Sequence, residues 1–303
     1  MQIGEGRARA LGARFAVQGV TFREGPGALE SVELENRHAT ARIALQGAHL
    51  LSWQPRDEEP VIWLSEKARF EPGVAIRGGI PICWPWFGPH PTDPTQPQHG
   101  FARTVAWQVV AVERLFDDRT RITFRLPDDH GVGAWPHRTE LLYVVTVGRA
   151  LELDLVTRNA GDEAITVGQA LHTYLRVSDY QGVTVLGVEG CRFLDKLDGL
   201  ERVQDRPLRL TGRTDRIYHQ STRDCVLEDP DLGRAIRITK RNSHSTVVWN
   251  PGLDGAAPGG DYGPDGSRGM LCVEAANAAG DAVRLEPHAV HLLFARYSVG
   301  SVG

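Results

Sequence analysis

Short alternating runs of apolar and polar residues recur along most of this chain. In Leu151–Val156 (LELDLV) the leucines fall at every second position, so Leu151, Leu153 and Leu155 share one face and Glu152 and Asp154 take the other. Comparable β-forming runs occupy 60–64 (PVIWL), 105–112 (VAWQVVAV), 121–126 (RITFRL), 141–147 (LLYVVTV), 235–239 (AIRIT), 246–249 (TVVW), 270–273 (MLCV) and 290–297 (VHLLFARY). Turn signals separate them at Asp117-Asp118, Asn159–Gly161, Asp198-Gly199 and Pro251-Gly252. Apolar residues almost nowhere recur at helical spacing over three turns. The pattern predicts an all-β fold, a large antiparallel sandwich.

The proline- and glycine-rich stretches, 77–103 and 251–269, fall inside the β pattern rather than between two patterns. No repeat of fixed period appears, which disfavours a propeller. A single domain over residues 1–303 is therefore expected. The first twenty residues or so, MQIGEGRARALGARFAVQGV, contain arginines but no continuous apolar segment. They read as a short flexible leader rather than a secretory signal.

Composition narrows the classes. A 303-residue chain with 41% hydrophobic and 24% charged residues has the balance of a soluble globular protein. A net charge of −4 offers no footprint for nucleic acid and no basic face for a membrane. No apolar run reaches the roughly 18 residues of a membrane helix. The four cysteines, Cys83, Cys191, Cys225 and Cys272, are scattered and make no CxxC. They read as reduced thiols of a cytoplasmic protein, with no metal site signalled. Nothing demands pairing between subunits, so a monomer is expected.

Candidate chemistry gathers in four places. The stretch Arg77–Arg103 (RGGIPICWPWFGPHPTDPTQPQHGFAR) is too rich in proline and glycine for a strand or helix, and so long a loop usually serves a function. It carries Arg77, Gln98, His99 and Arg103, which together suit an anion or polyol pocket. Single arginines more often make surface ion pairs. Trp84, Trp86 and Phe87 suit either a sugar-facing aromatic wall or core packing. His172 lies in a strand-like run (QALHTYLRV), where a buried, hydrogen-bonded core histidine is the plain alternative to a catalyst. Asp195 lies in FLDKLDG. Glu274 lies in MLCVEAANA on the face of Cys272 and Met270, which points it inward, where a carboxylate needs a partner or a function.

Taken in order, RGGIPICWPWFG, QHGFAR, LHTYLRVSD, the aspartate of FLDKLDG, VVWNP and CVEAAN resemble the motifs of the glucose-6-phosphate 1-epimerases, the hexose-6-phosphate mutarotases of the aldose 1-epimerase superfamily. The resemblance covers about Ala41 to Arg296. It implies a galactose mutarotase-like β-supersandwich, no cofactor, and interconversion of the α and β anomers of glucose 6-phosphate. It further implies His172 and Glu274 as the catalytic pair and Arg77, Gln98, His99, Arg103 and Asp195 as substrate ligands. Ala275-Ala276 stand where relatives can carry proline or glycine.

In this reading Glu274 removes the C1 hydroxyl proton and His172, as imidazolium, protonates the ring oxygen, while Arg77 and Arg103 hold the phosphate. A bell-shaped pH profile follows, its acid limb set by the carboxylate and its alkaline limb by the imidazolium. The alternatives are a mutarotase of unphosphorylated aldoses and a non-catalytic sugar-phosphate-binding protein. Retention of both His172 and Glu274 argues against the second, since binding needs neither to titrate.

Overall fold

The computed structural model describes residues 3–128, 135–255, 260–263 and 266–302. Two eight-stranded antiparallel sheets make up its centre. The first runs Leu200–Val203, Arg192–Asp195, Thr214–His219, Ser245–Asn250, Met270–Asn277, Gln169–Leu171 and Ile82–Cys83, with Tyr174–Arg176 also paired to Met270–Asn277. The second runs Thr184–Leu186, Cys225–Asp229, Arg234–Arg241, Val290–Ser301, Ala150–Asn159, Thr139–Val147, Thr120–Arg125 and Gln108–Arg114. A four-stranded sheet over residues 20–55 and a two-stranded one complete the β structure. The all-β expectation holds.

Period-two patterning explains how the sheets meet. Leu151, Leu153 and Leu155 are fully buried while Glu152 and Asp154 are half-exposed. On the facing sheet Leu271, Val273 and Ala275 join the same core cluster, together with Tyr297, Leu293 and Val145. The Thr173 and Tyr297 hydroxyls, 2.6 Å apart, close a hydrogen bond between the sheets. Burying this apolar surface is the main driving force, and a large-to-small change in it costs roughly 2–5 kcal/mol.

Two expectations need correction. The N-terminal leader contains a helix, Ile3–Arg14. Ala8 is buried and Leu11 and Phe15 pack beside it on the core, an i, i+3, i+7 stripe. The run at 60–64 makes only isolated bridges, Ile62 to Leu175 and Leu64 to Gly78, not a ladder. Part of the 251–269 stretch (256–259, 264 and 265) lies outside the described residues. No helix among the described residues is long and apolar enough to cross a membrane.

Candidate active site

The strand Met270–Asn277 is buried on both faces. Its odd-numbered residues enter the core between the sheets, so Met270, Cys272 and Glu274 turn to the opposite face, which loops cover. The ladder then fixes what surrounds them. Ile217 pairs with Val247 and Val247 with Glu274. Leu171 pairs with Ala275 and Tyr174 with Cys272, so the count places His172 opposite Glu274. One row across the sheet is therefore Ile217, Val247, Glu274, His172. The adjacent row is Asp215, Trp249, Cys272, Tyr174. Directly paired residues share a face, so the hydrogen-bond register alone assembles a polar patch from four stretches of chain.

A cleft of about 290 Å³ opens over these rows, lined by Arg77, Phe87, Gln98, His99, Arg103, His172, Tyr174, Lys196, Asp215, Val247, Trp249 and Glu274. At its floor His172 Nδ1 lies 3.3 Å from Glu274 Oε1, within ion-pair reach. Neither that nitrogen nor either carboxylate oxygen has a hydrogen-bond partner, although all three are buried. Unsatisfied buried polar atoms are rare and call for a ligand or a function. Burial raises the Glu274 carboxyl well above its ordinary range, with the Asp215 charge adding to it. Burial also pushes His172 well below 6.5, and His99, Arg103 and Arg77 deepen the shift. Both shifts favour the neutral forms, a carboxyl facing a neutral imidazole.

The His172 ring is fixed from several sides. It stacks on Tyr174 at 4.8 Å and 7° and meets the edge of Trp249 at 5.8 Å. His99 approaches it at 5.7 Å between ring centroids. The Gly88 amide donates to His99 Nδ1 at 3.1 Å, which makes that nitrogen an acceptor and leaves the ring proton on Nε2. Burial and the charges of Arg103, Lys196 and Arg77 lower His99 to about 3, so it stays a neutral donor.

The 77–103 loop is braced by His49 and by hydrogen bonds of its own. His49 Nε2 meets the Gly78 carbonyl at 2.7 Å, Trp86 Nε1 donates to the Pro97 carbonyl at 2.9 Å, and the His99 amide donates to the Gly88 carbonyl at 2.7 Å. Gly100 takes φ +72°, and a Cβ there would lie 1.9 Å from the Trp84 carbonyl oxygen. Gly100→Ala should therefore lower the melting temperature by the equivalent of more than the ~1–3 kcal/mol of a strained backbone alone, and displace His99 beside it. Differential scanning calorimetry checks this. An unchanged melting temperature would mean that the loop yields freely.

Trp84 and Trp86 belong to the core. Of the loop aromatics only Phe87 faces the cleft, beside Trp249 and Tyr174 from the sheet.

The two loop arginines differ. Arg77 donates through Nε to Asp261 Oδ1 at 3.1 Å and through Nη1 to the Tyr174 hydroxyl at 2.9 Å, and its guanidinium stacks over Tyr262 at 4.6 Å. Arg103 donates through Nη2 to the Gln98 carbonyl at 2.7 Å, and its buried Nε has no partner. Both present guanidinium to the cleft.

Asp195 does not line this cleft. It pairs with Arg216, its carboxylate 3.4 Å from Arg216 Nε, on the face of Phe193 and Tyr218 that enters the core between the sheets. One residue on, parity reverses. The Lys196 amide bonds the Asp215 carbonyl at 2.8 Å, and the Lys196 ammonium lies 3.3 Å from the Asp215 carboxylate inside the cleft. Asp215 and Lys196 are thus the charged cleft residues that sequence reasoning missed, with Tyr174, Val247 and Trp249 beside them. Only the strand register distinguishes them from their neighbours.

The family model described as aldose 1-epimerase matches residues 30–298. A protein of Escherichia coli (strain K12) carrying the description of an inferred glucose-6-phosphate 1-epimerase is 40% identical over 255 residues, spanning 83% of this chain and 84% of its own. One of Cenchrus ciliaris with the same description is 33% identical, over 86% of this chain and 82% of its own. The crystal structure of an inferred mutarotase, YeaD, from Salmonella typhimurium superposes with a TM-score of 0.87 at 35% identity, covering 94% of this chain and 95% of that one.

Proposed function

Because this chain belongs to the aldose 1-epimerase family, we propose that it interconverts the α and β anomers of glucose 6-phosphate, with Glu274 and His172 as the acid–base pair. The observation that carries the reading is the pair itself: a buried carboxylate and a buried imidazole 3.3 Å apart, facing a cleft and otherwise unpartnered.

Ring opening moves two protons. One leaves the C1 hydroxyl and one arrives at ring oxygen O5; closure on the other face of the aldehyde reverses both. A pair holding a single shared proton performs this without a net change. A carboxyl beside a neutral imidazole and a carboxylate beside an imidazolium are the same one-proton state, differing by a transfer over the 3.3 Å gap. Burial favours the first form, with the proton on Glu274. Arg77 and Arg103 help to keep it off His172, and a phosphate dianion bound between them cancels that opposition. Substrate binding thus favours the imidazolium–carboxylate form, with His172 Nε2–H as the acid towards O5 and Glu274 as the base at the C1 hydroxyl. His99 Nε2–H donates to a sugar oxygen, and Gln98 and Asp215 anchor hydroxyls. Phe87 and Trp249 cover an apolar face of the ring.

The phosphate is the reason to prefer a phosphorylated sugar. Arg77 and Lys196 are paired with Asp261 and Asp215, but Arg103 has no carboxylate partner among the described residues, and a dianion supplies one where a neutral sugar does not. Exchange spectroscopy by NMR on glucose 6-phosphate, with free glucose and galactose alongside, tests the assignment. Exchange at least as fast with the free sugars would move the chain to the mutarotases of unphosphorylated aldoses, and binding without exchange would make it a sugar-phosphate-binding protein.

The directions of the shifts support an assignment of the two limbs opposite to the one expected from sequence. Activity requires one proton on the pair. A second is taken up on acidification at His172, whose affinity is held well below 6.5. The single proton is lost at alkaline pH from a pair whose carboxyl is raised well above 4.5. Both directions widen the bell, so kcat/KM should be level through neutrality and fall on either side. A sulfate ester of glucose removes the substrate's own titration near pH ~6. An acid limb centred above 6.5 with that analogue would contradict the depressed imidazole.

A further inference from the structure

We propose that His172, Cys272 and Glu274 form a binding site for a thiophilic divalent cation of the zinc type, and that filling it switches the catalytic pair off. The register that pairs His172 with Glu274 also sets Cys272 two residues away on the same strand and face. Their ligating atoms, Nδ1, Sγ and a carboxylate oxygen, all lie within 4.8 Å of one another. The 3.3 Å between Nδ1 and Oε1 matches the edge of a tetrahedron whose metal–ligand bonds are roughly 2.0–2.1 Å long. Both atoms are buried and lack any hydrogen-bond partner, and Cys272 is a free thiol.

Charge and softness select the ligand. Thiolate, carboxylate and neutral imidazole carry two negative charges, so a divalent ion makes the buried set neutral. A thiolate in the set excludes magnesium and calcium and favours zinc or cobalt. Three protein ligands leave a fourth position, on the side where His172 and Glu274 line the cleft, for water or a sugar hydroxyl. Trp63, Tyr174 and Met270 share an apolar cluster with Cys272, while His172 and Glu274 open on the cleft. On binding, the Sγ–H bond breaks and its proton, with the proton shared by the pair, passes to solvent as the metal bonds form. No electron is transferred. The occupied pair has lost its proton and both of its facing lone pairs, which is the reason for inhibition. No CxxC or clustered spacing announces such a site, because the sheet register assembles it across about a hundred residues of chain.

The site itself does not depend on the functional reading; its inhibitory effect does. Cobalt(II) titration of the whole protein should produce the near-ultraviolet thiolate-to-cobalt band. Cys272→Ala, and Cys272→Val, which refills the volume, should each abolish it. In parallel, zinc should slow anomer exchange of glucose 6-phosphate by roughly the 10²–10⁴ of a lost general base, with recovery on adding a chelator. The same two variants should keep their exchange rate without metal. Loss of an orienting neighbour already weakens metal sites roughly 10–100-fold, so loss of a ligand should raise the half-inhibiting zinc concentration at least that much. A wild-type cobalt complex without the thiolate band, or zinc inhibition equal in wild type and both variants, overturns the proposal. A thiolate band in a wild-type protein that shows no anomer exchange keeps the site and removes the functional reading.

Discussion

Glu274→Gln should reduce turnover on glucose 6-phosphate by roughly 10²–10⁴ while leaving the fold intact. The amide has the shape of the carboxyl and can still approach His172 Nδ1, but it cannot accept the C1 proton. The stability consequence separates this from simple damage. Glu274 is buried and its oxygens have no hydrogen-bond partner, so the wild-type residue sits there at a cost to the folded state. A group held for function at the expense of stability can be replaced by a neutral isostere with no loss, so the melting temperature should stay level or rise. His172→Asn should match it in turnover. If either variant melts normally and keeps more than about a tenth of wild-type turnover, that residue is not one of the pair.

Arg103→Met should act on binding rather than chemistry. A charge-assisted contact to a dianion contributes on the order of 1.5–3 kcal/mol, so KM for glucose 6-phosphate should rise roughly 10- to 100-fold with kcat far less affected. Methionine preserves the apolar stem and removes the charge. Any slow exchange of free glucose should be unchanged, and competitive inhibition by inorganic phosphate should weaken sharply. Arg103 is the cleaner of the two arginines to change, because its Nε has no partner and its one side-chain bond goes to the Gln98 carbonyl. Removing Arg77 would also release Asp261, the Tyr174 hydroxyl and the Tyr262 ring. Steady-state kinetics with both sugars decides the matter. An equal fall for both sugars would make the arginine structural.

Strand content was legible because alternation is a local property: Leu151, Leu153 and Leu155 declare their common face with no knowledge of the partner strands. The N-terminal helix was not, since only Ala8, Leu11 and Phe15 mark its apolar stripe and the four-stranded sheet it packs on is formed later in the chain. The arginines, Gln98 and His99 were legible as a group because one loop carries them all. The aspartate was not. Asp195 and Asp215 are equally polar, and the side of the sheet each faces depends on a register that pairs Asp195 with Arg216 and Lys196 with Asp215. The Cys272 juxtaposition shares that cause: spacing along one strand is visible in sequence, and the residue across the ladder is not.

The position of Glu274 in a central, doubly buried strand has a consequence for how the protein fails. Amides of such a strand exchange with solvent only when the whole molecule opens, since no local fluctuation frees a strand paired on both sides. The His172–Glu274 geometry therefore has no softer mode of loss than unfolding itself. Heat or denaturant should not yield a folded but idle population with this pair pulled apart. The braced loop above it, by contrast, can loosen first, so warming should erode the grip on the phosphate before it touches the proton-transferring pair.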